Sequence, residues 1–208
     1  MSYLGPKVHI DLHQLKKNYQ LVKSEVGEIP IMATVKANAY GHGAVEVSKA
    51  LEEEGVRYLA VFTIDEGIEL RDAGIKTDIF IYAKFDPTRI EEASKYNLTL
   101  NISSFDDLKA LKGYNGNAIK VHLKIDTGMT RLGVPLEQAE AFLKETISEV
   151  MDKNTEELEF FETIRKFKKP SPFVDPTGGS LLESLQKVVE SPFIRITYTE
   201  AVEKLIAS

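Results

Sequence analysis

Five short apolar runs between Pro30 and Asp126, with amphipathic stretches between them, confine this chain to a narrow set of folds. The runs are PIMATVK (30–36), YLAVF (58–62), DIFIYA (78–83), LTLNIS (98–103) and IKVHLKID (119–126). Short and rich in branched and aromatic residues, they have the texture of buried strands. They begin at 30, 58, 78, 98 and 119, at intervals of 28, 20, 20 and 21 residues. Repeated βα units of this length imply a parallel sheet with right-handed crossovers. An open doubly wound sheet and a (β/α) barrel both fit. No GxGxxG follows the first run, which weighs against a dinucleotide-binding sheet.

The segments between the runs carry helix signals. AVEVSKALEEEG (44–55) and EGIELRDAG (66–74) end at glycines, and Asp65 can cap the second. Pro87 and Thr88 open RIEEASKY, and Ser103 or Ser104 precedes FDDLKALKG, which stops at Gly113. Ahead of the first strand, residues 11–26 place Leu12, Leu15, Tyr19 and Val22 on one helical face. After about Glu145 the βα rhythm ends. TISEVMDKNTEELEFFETIRKFKK reads as a long helix, KPSPFVDPTGGS (169–180) as a linker, and LLESLQKVVES and EAVEKLIAS, the latter capped by Thr199, as further helices. The expected division is an α/β domain over 1–145 and a helical extension over 146–208.

Charge and cysteine usage narrow the function. A net charge of −6 disfavours a nucleic-acid or anionic-membrane surface, and the basic run from Arg165 to Lys169 is interrupted by Phe167. Without cysteine there is no disulfide framework or thiolate metal site, and no metal is expected. The first residues lack the apolar run of a signal peptide, and no stretch approaches the length of a membrane span. The expectation is a soluble, cytoplasmic protein.

The candidate chemistry sits at two strand ends. Alternation along the first run puts Ile31, Ala33 and Val35 on one side and Met32, Thr34 and Lys36 on the other. Lys36 then stands at a carboxyl strand end, where active sites of parallel α/β folds collect. A sheltered lysine there is suited to Schiff-base chemistry, although one reaching out to solvent would give the same text. In the fifth run the apolar row is Ile119, Val121, Leu123 and Ile125, and the opposite row is Lys120, His122, Lys124 and Asp126. In a barrel the charged row would line a polar lumen, and in an edge strand it would simply be wet. Thr127, Gly128 and Gly133 frame a tight loop presenting Arg131, a residue able to hold a phenolate, phosphate or carboxylate.

VKANAYGHG (35–43) resembles the cofactor-lysine signature of alanine racemases, and HLKIDTGMTRLG (122–133) resembles that family's second barrel motif. VHIDLHQLKKNYQ and FTIDEGIELRDAGIKTDIFIY (62–82) are similar too, so the resemblance spans roughly residues 7 to 145. It implies a partial TIM-type barrel of about five parallel strands that binds pyridoxal 5'-phosphate. Lys36 would form the internal aldimine and serve as one racemisation base. Tyr40 would bond the cofactor phosphate. Arg131 would contact the phenolic oxygen and the substrate carboxylate, and Lys124 matches a lysine that many members carbamylate. His42 is read as loop structure. The implied reaction is interconversion of L- and D-alanine in a homo-oligomer.

A complete barrel needs about 250 residues. No segment here matches the family's pyridine-facing arginine, its remaining phosphate ligands or its opposite-face tyrosine, and Tyr198 is not assigned that role. VVESPFIRITYTEAVEKL (188–205) is similar to a segment of archaeal-type asparaginyl-tRNA synthetases, which suggests a racemase front joined to a foreign tail. A non-catalytic pyridoxal-phosphate binder and an inactive truncated or chimeric fragment are therefore the alternatives to a working racemase.

Overall fold

The computed structural model describes residues 7–165 and 180–207. The basic run beyond Arg165, the linker reading of 169–179 and the first six residues lie outside the described residues. The chain divides into two units, Met1–Gly133 and Val134–Ser208.

In the first unit, α1 (Leu12–Val26) is capped by Asp11, whose carboxylate accepts the Gln14 N–H. Tyr19 is its buried residue, whereas Val22 of the expected apolar face is exposed. Strands β1 (Met32–Thr34), β2 (Tyr58–Val61), β3 (Asp78–Ile81), β4 (Leu98–Ile102) and β5 (Lys120–Leu123) form one all-parallel sheet in the order β1-β2-β3-β4-β5. Strictly sequential order decides between the two architectures that the sequence allows. A doubly wound sheet reverses direction at a switch point, whereas successive units of a (β/α) barrel always add on the same side. This is the arrangement of a partial TIM-type barrel.

The register fixes which side chains share a face. Thr34, Ala60 and Phe80 lie abreast, as do Thr99 and Lys120, and Phe80 pairs with Thr99. Neighbours in register point the same way, so Thr34, Ala60, Phe80, Thr99, Asn101, Lys120 and His122 occupy one face. The other face carries Ala33, Leu59, Val61, Ile79, Ile81, Leu98, Leu100, Ile102, Val121 and Leu123. Leu59, Val61, Ile79, Leu98 and Ile102 are at most 1% exposed. Each such side chain contributes roughly 1.5–3 kcal/mol on burial.

The helices α3 (Ala44–Glu53), α4 (Ile64–Asp72), α5 (Ile90–Lys95) and α6 (Phe105–Lys112) follow the sheet strands. At Gly67 of α4 an added Cβ would meet Leu98 Cδ2 at 3.0 Å and Ile81 Cδ1 at 3.1 Å, so α4 is seated directly on the apolar face. The helix starts partly correct the sequence reading. Thr63, not Asp65, caps α4, and its hydroxyl and the Glu66 carboxylate form a reciprocal capping box. Asp65 instead pairs with Arg89 at 2.8 Å. Asp86 caps the turn Pro87–Arg89 that leads into α5, and Ser104 caps α6.

The second unit opens with β7 (Val134–Pro135) and continues with α7 (Ala139–Lys153), α8 (Thr155–Arg165), α9 (Leu181–Glu190) and α10 (Tyr198–Ala207). The single long helix expected from 146 onward is two, broken at Asn154 (φ −128, ψ 39). The Asn154 side chain bonds the Val150 carbonyl at 3.1 Å, the kind of backbone competition that ends a helix. Ser180 caps α9 with a capping box. Thr197, two residues earlier than expected, accepts the Glu200 N–H at 3.2 Å ahead of α10. Among the described residues no helix is long and apolar enough to cross a membrane.

Candidate active site

A group of polar and cationic side chains of the first unit gathers at the carboxyl ends of the sheet strands. Past their formal ends the strands remain tied to one another: Val35 N–H bonds Ala60 O, Tyr82 N–H bonds Val61 O and Lys124 N–H bonds Ile102 O, at 2.8–2.9 Å. The alternation therefore continues outward and brings Thr34, Phe62, Tyr82 and Lys124 to the polar face. Together with Lys36, Tyr40, Lys84, Arg131 and Leu132 they line an open cleft of about 540 Å³.

Lys36 reaches this cleft by a route that strand periodicity does not describe. Strand β1 ends at Thr34, and Val35 (φ −122, ψ 19) already breaks the extended path. Lys36 opens the short turn α2 (Lys36–Tyr40), in which Ala37, Asn38, Ala39 and Tyr40 all have φ between 50 and 55. Left-handed backbone costs a residue bearing a Cβ roughly 1–2 kcal/mol, so four in succession persist only where other contacts fix them. Several do. The Asn38 amide oxygen accepts the Ala44 N–H at 2.7 Å, His42 Nδ1 is 2.8 Å from the Ala39 carbonyl, and Gly41 (φ 87) takes the turn out. His42 is thus loop structure, as read from the sequence. The Lys36 ammonium lies 6.0 Å from the centroid of the Phe62 ring, a loose cation–π contact.

Arg131 sits on an exposed loop built by Asp126, which ends the short strand β6 (Ile125–Asp126). The Asp126 carboxylate accepts the Gly128 N–H at 3.0 Å and the Thr130 N–H at 2.9 Å, and these donors hold its pKa below the usual carboxylate value. The loop closes at Gly133 (φ 132), where a Cβ would stand 2.7 Å from the Asp126 nitrogen. Only glycine fits there.

The charged row of β5 answers to both of its sequence readings. As the sheet's edge strand it is wet, with Lys120 and His122 exposed. Yet Lys120 pairs with Asp78 at 2.7 Å, His122 stacks on Phe80 with centroids 4.7 Å apart, and Lys124 lines the cleft. Lys36, Lys84, Lys124 and Arg131 put four cationic side chains around one opening. Among the described residues no carboxylate is ion-paired with any of them. Such a cluster is chemically suited to a multiply charged anion. All four residues singled out in the sequence, Lys36, Tyr40, Lys124 and Arg131, meet here. Thr34, which alternation already set on the Lys36 side, joins them, as do Phe62, Tyr82, Lys84 and Leu132.

Comparison with known proteins supplies the family. The model of the alanine racemase N-terminal domain matches residues 10–154. Alanine racemase 1 of Caldanaerobacter subterraneus subsp. tengcongensis is 40% identical over 131 residues, which are 61% of this chain and 34% of that protein. The alanine racemase of Oenococcus oeni superposes with a TM-score of 0.62 at 39% identity, covering 68% of this chain and 40% of that structure. The histidine racemase of Leuconostoc mesenteroides superposes at 0.61 with 29% identity, covering 69% and 39%. The chain thus spans about a third to two-fifths of the length of these relatives. Alanine racemases depend on pyridoxal phosphate. The match over residues 10–154, with the sequential parallel sheet that superposes on alanine racemases, places this chain in the alanine racemase family by way of that family's N-terminal domain.

Proposed function

We propose that this chain forms the cofactor-bearing part of a pyridoxal-phosphate-dependent amino-acid racemase, with Lys36 as the lysine that bonds the cofactor and alanine as the substrate. The observation that carries the reading is the convergence of Lys36, Tyr40, Lys124 and Arg131 on one cleft. The lining fits the group. A phosphate and a phenolate need cations and hydroxyl donors, an aldehyde needs an amine, and a flat ring needs apolar neighbours such as Phe62 and Leu132.

When bound, the cofactor supplies an electron sink that acidifies the α-hydrogen of an amino acid. The chain's own residues would supply one face of that chemistry. The Lys36 amine holds the cofactor and, once released, accepts or returns a proton at the substrate α-carbon on one face. The Tyr40 hydroxyl donates to the phosphate. The Arg131 guanidinium donates towards the phenolic oxygen and the substrate carboxylate. Reaction of the neutral Lys124 amine with carbon dioxide, with loss of a proton, yields a carbamate that gives Arg131 an anionic neighbour. The base for the opposite face is assigned to no residue of this chain. We take the working form to be a homo-oligomer, in keeping with the alanine racemases that this chain resembles.

The test is reduction of the pyridoxal-phosphate-incubated protein with borohydride, followed by peptide mapping. The cofactor mass should appear on the peptide containing Lys36 and vanish in Lys36→Ala. Labelling spread over surface lysines, or none, overturns the assignment. Conversion of L- to D-alanine by the parent protein then separates a racemase from a binder that holds the cofactor without turnover.

A further inference from the structure

We propose that Glu66 is a positioning residue that sets where Lys36 stands, by gripping the backbone on both sides of the cleft floor. Its carboxylate is divided between two jobs. Oε2 accepts the Phe62 N–H at 2.6 Å and the Thr63 N–H at 3.1 Å, which close the start of α4. Oε1 faces away from that cap and accepts the Ala37 N–H at 2.7 Å. Ala37 directly follows Lys36 and is the first of the four left-handed residues. Phe62 is the ring beneath the Lys36 ammonium. A single anion thus ties the residue after the lysine to the residue whose ring the lysine overlies.

A capping glutamate needs only its own helix, and the bond to Ala37 reaches 29 residues back to another loop. The turn after Lys36 lacks a glycine until Gly41, so its backbone has no intrinsic reason to hold this shape. The Ala37 N–H satisfied by a charged acceptor is what pins its first residue. This inference rests on the cofactor role proposed for Lys36, and its test is built to separate the two.

Three variants are compared: Glu66→Ala, Glu66→Gln and Thr63→Ala. Thr63→Ala deletes the other half of the capping box, since Glu66 N–H donates to Thr63 Oγ1 at 3.2 Å, but leaves the Ala37 bond in place. Far-UV circular dichroism first establishes that each is folded. Amide hydrogen exchange of peptide 35–43, measured without cofactor, should accelerate on the order of tenfold in Glu66→Ala, the scale set by losing a hydrogen bond to a charged acceptor. Glu66→Gln, which keeps one carbonyl acceptor, should fall between it and the parent. In Thr63→Ala peptide 35–43 should exchange as in the parent although α4 loosens. Borohydride trapping at Lys36 should slow in the same order. Unchanged exchange of 35–43 in Glu66→Ala, or equal acceleration in Thr63→Ala, overturns the proposal. If the peptide loosens as expected while the parent never takes label at Lys36, Glu66 keeps its role and the cofactor reading falls instead.

Discussion

Replacing Arg71 tests whether the end of the sheet remote from the cleft holds the fold without touching the chemistry. Arg71, in the last turn of α4, is half-buried, and its guanidinium donates to four carbonyls: Ile75 at 2.7 Å, Thr77 at 2.8 Å, and Tyr96 and Asn97 at 3.0 Å. These acceptors lie in the loops entering β3 and β4. Burial draws the guanidinium pKa down, against the pull of Asp78 and Glu52, so part of the gain is spent on desolvation. Taking somewhat under about 1 kcal/mol for each of the four bonds, a net value that already contains this cost, gives roughly 3 kcal/mol for Arg71→Ala. With a urea m-value of about 2 kcal/mol/M, the midpoint should fall by about 1.5 M, and Tm by about 6–12 °C for a chain of this size. Arg71→Lys keeps the charge but loses the planar fork, and should still cost about 2 kcal/mol. Urea titration followed by circular dichroism measures both. Borohydride trapping at Lys36 in native buffer should match the parent in each variant. A loss under about 1 kcal/mol for Arg71→Ala, or a lysine variant as stable as the parent, would refute the reasoning that the fork carries this end of the sheet.

Gly133→Ala should cost on the order of 2 kcal/mol, because both the left-handed φ and the 2.7 Å approach to the Asp126 nitrogen oppose a Cβ. Its denaturation midpoint checks this, and stability equal to the parent's would mean that the loop relaxes freely. The Glu52 carboxyl is pushed up by burial, but donors from Thr77 and Lys76 outweigh this and leave its pKa below the ordinary value. Its stabilisation is therefore present above the unfolded value of about 4.3 and lost as pH falls through the lower folded value. Urea midpoints between about pH 6 and 3 should show less acid loss in Glu52→Gln than in the parent, and identical slopes would remove Glu52 from the account. Asp126→Ala should loosen residues 127–132, read by amide exchange, while leaving the exchange of peptide 35–43 unchanged.

The parts of this fold legible in the sequence are those governed by local periodicity. Alternation sorted the apolar row of β5 from its charged row, and glycine marked the ends of helices at Gly55 and Gly74, where φ is 77 and 90. What escaped is governed by contacts distant in sequence. Asp65 and Thr63 are both good caps by composition, and only the reach of Arg89 to Asp65 and of Glu66 back to Thr63 decides between them. Lys36 reads as a strand residue because Ala-Asn-Ala-Tyr announces no left-handed turn. Alanine favours ordinary helix, and the shape is imposed by Glu66 and by the Asn38 bond to Ala44. Tyr82 was readable, since alternation through DIFIYA places it on the row of Phe80 and Asp78. Knowing that this row meets Thr34 and Lys124 requires the sheet order, which periodicity does not supply.

The two ends of the sheet divide the work accordingly. Where strands begin, charge is matched and satisfied: Arg71 spends its donors on backbone carbonyls, Glu52 accepts from Lys76 and Thr77, and Asp78 pairs with Lys120. Where strands end, the cations Lys36, Lys84, Lys124 and Arg131 share a cleft without a carboxylate ion-paired to any of them among the described residues. Satisfied polar groups stabilise, and like charges held together cost stability unless something arrives to neutralise them. An anion entering this cleft should therefore stabilise the fold by linkage, raising Tm with concentration. Inorganic phosphate or pyridoxal phosphate should do so, and in Arg131→Ala or Lys84→Ala the gain should shrink. A Tm indifferent to both anions would mean that the four cations are only a solvated rim, and the cleft would lose its claim to be a binding site.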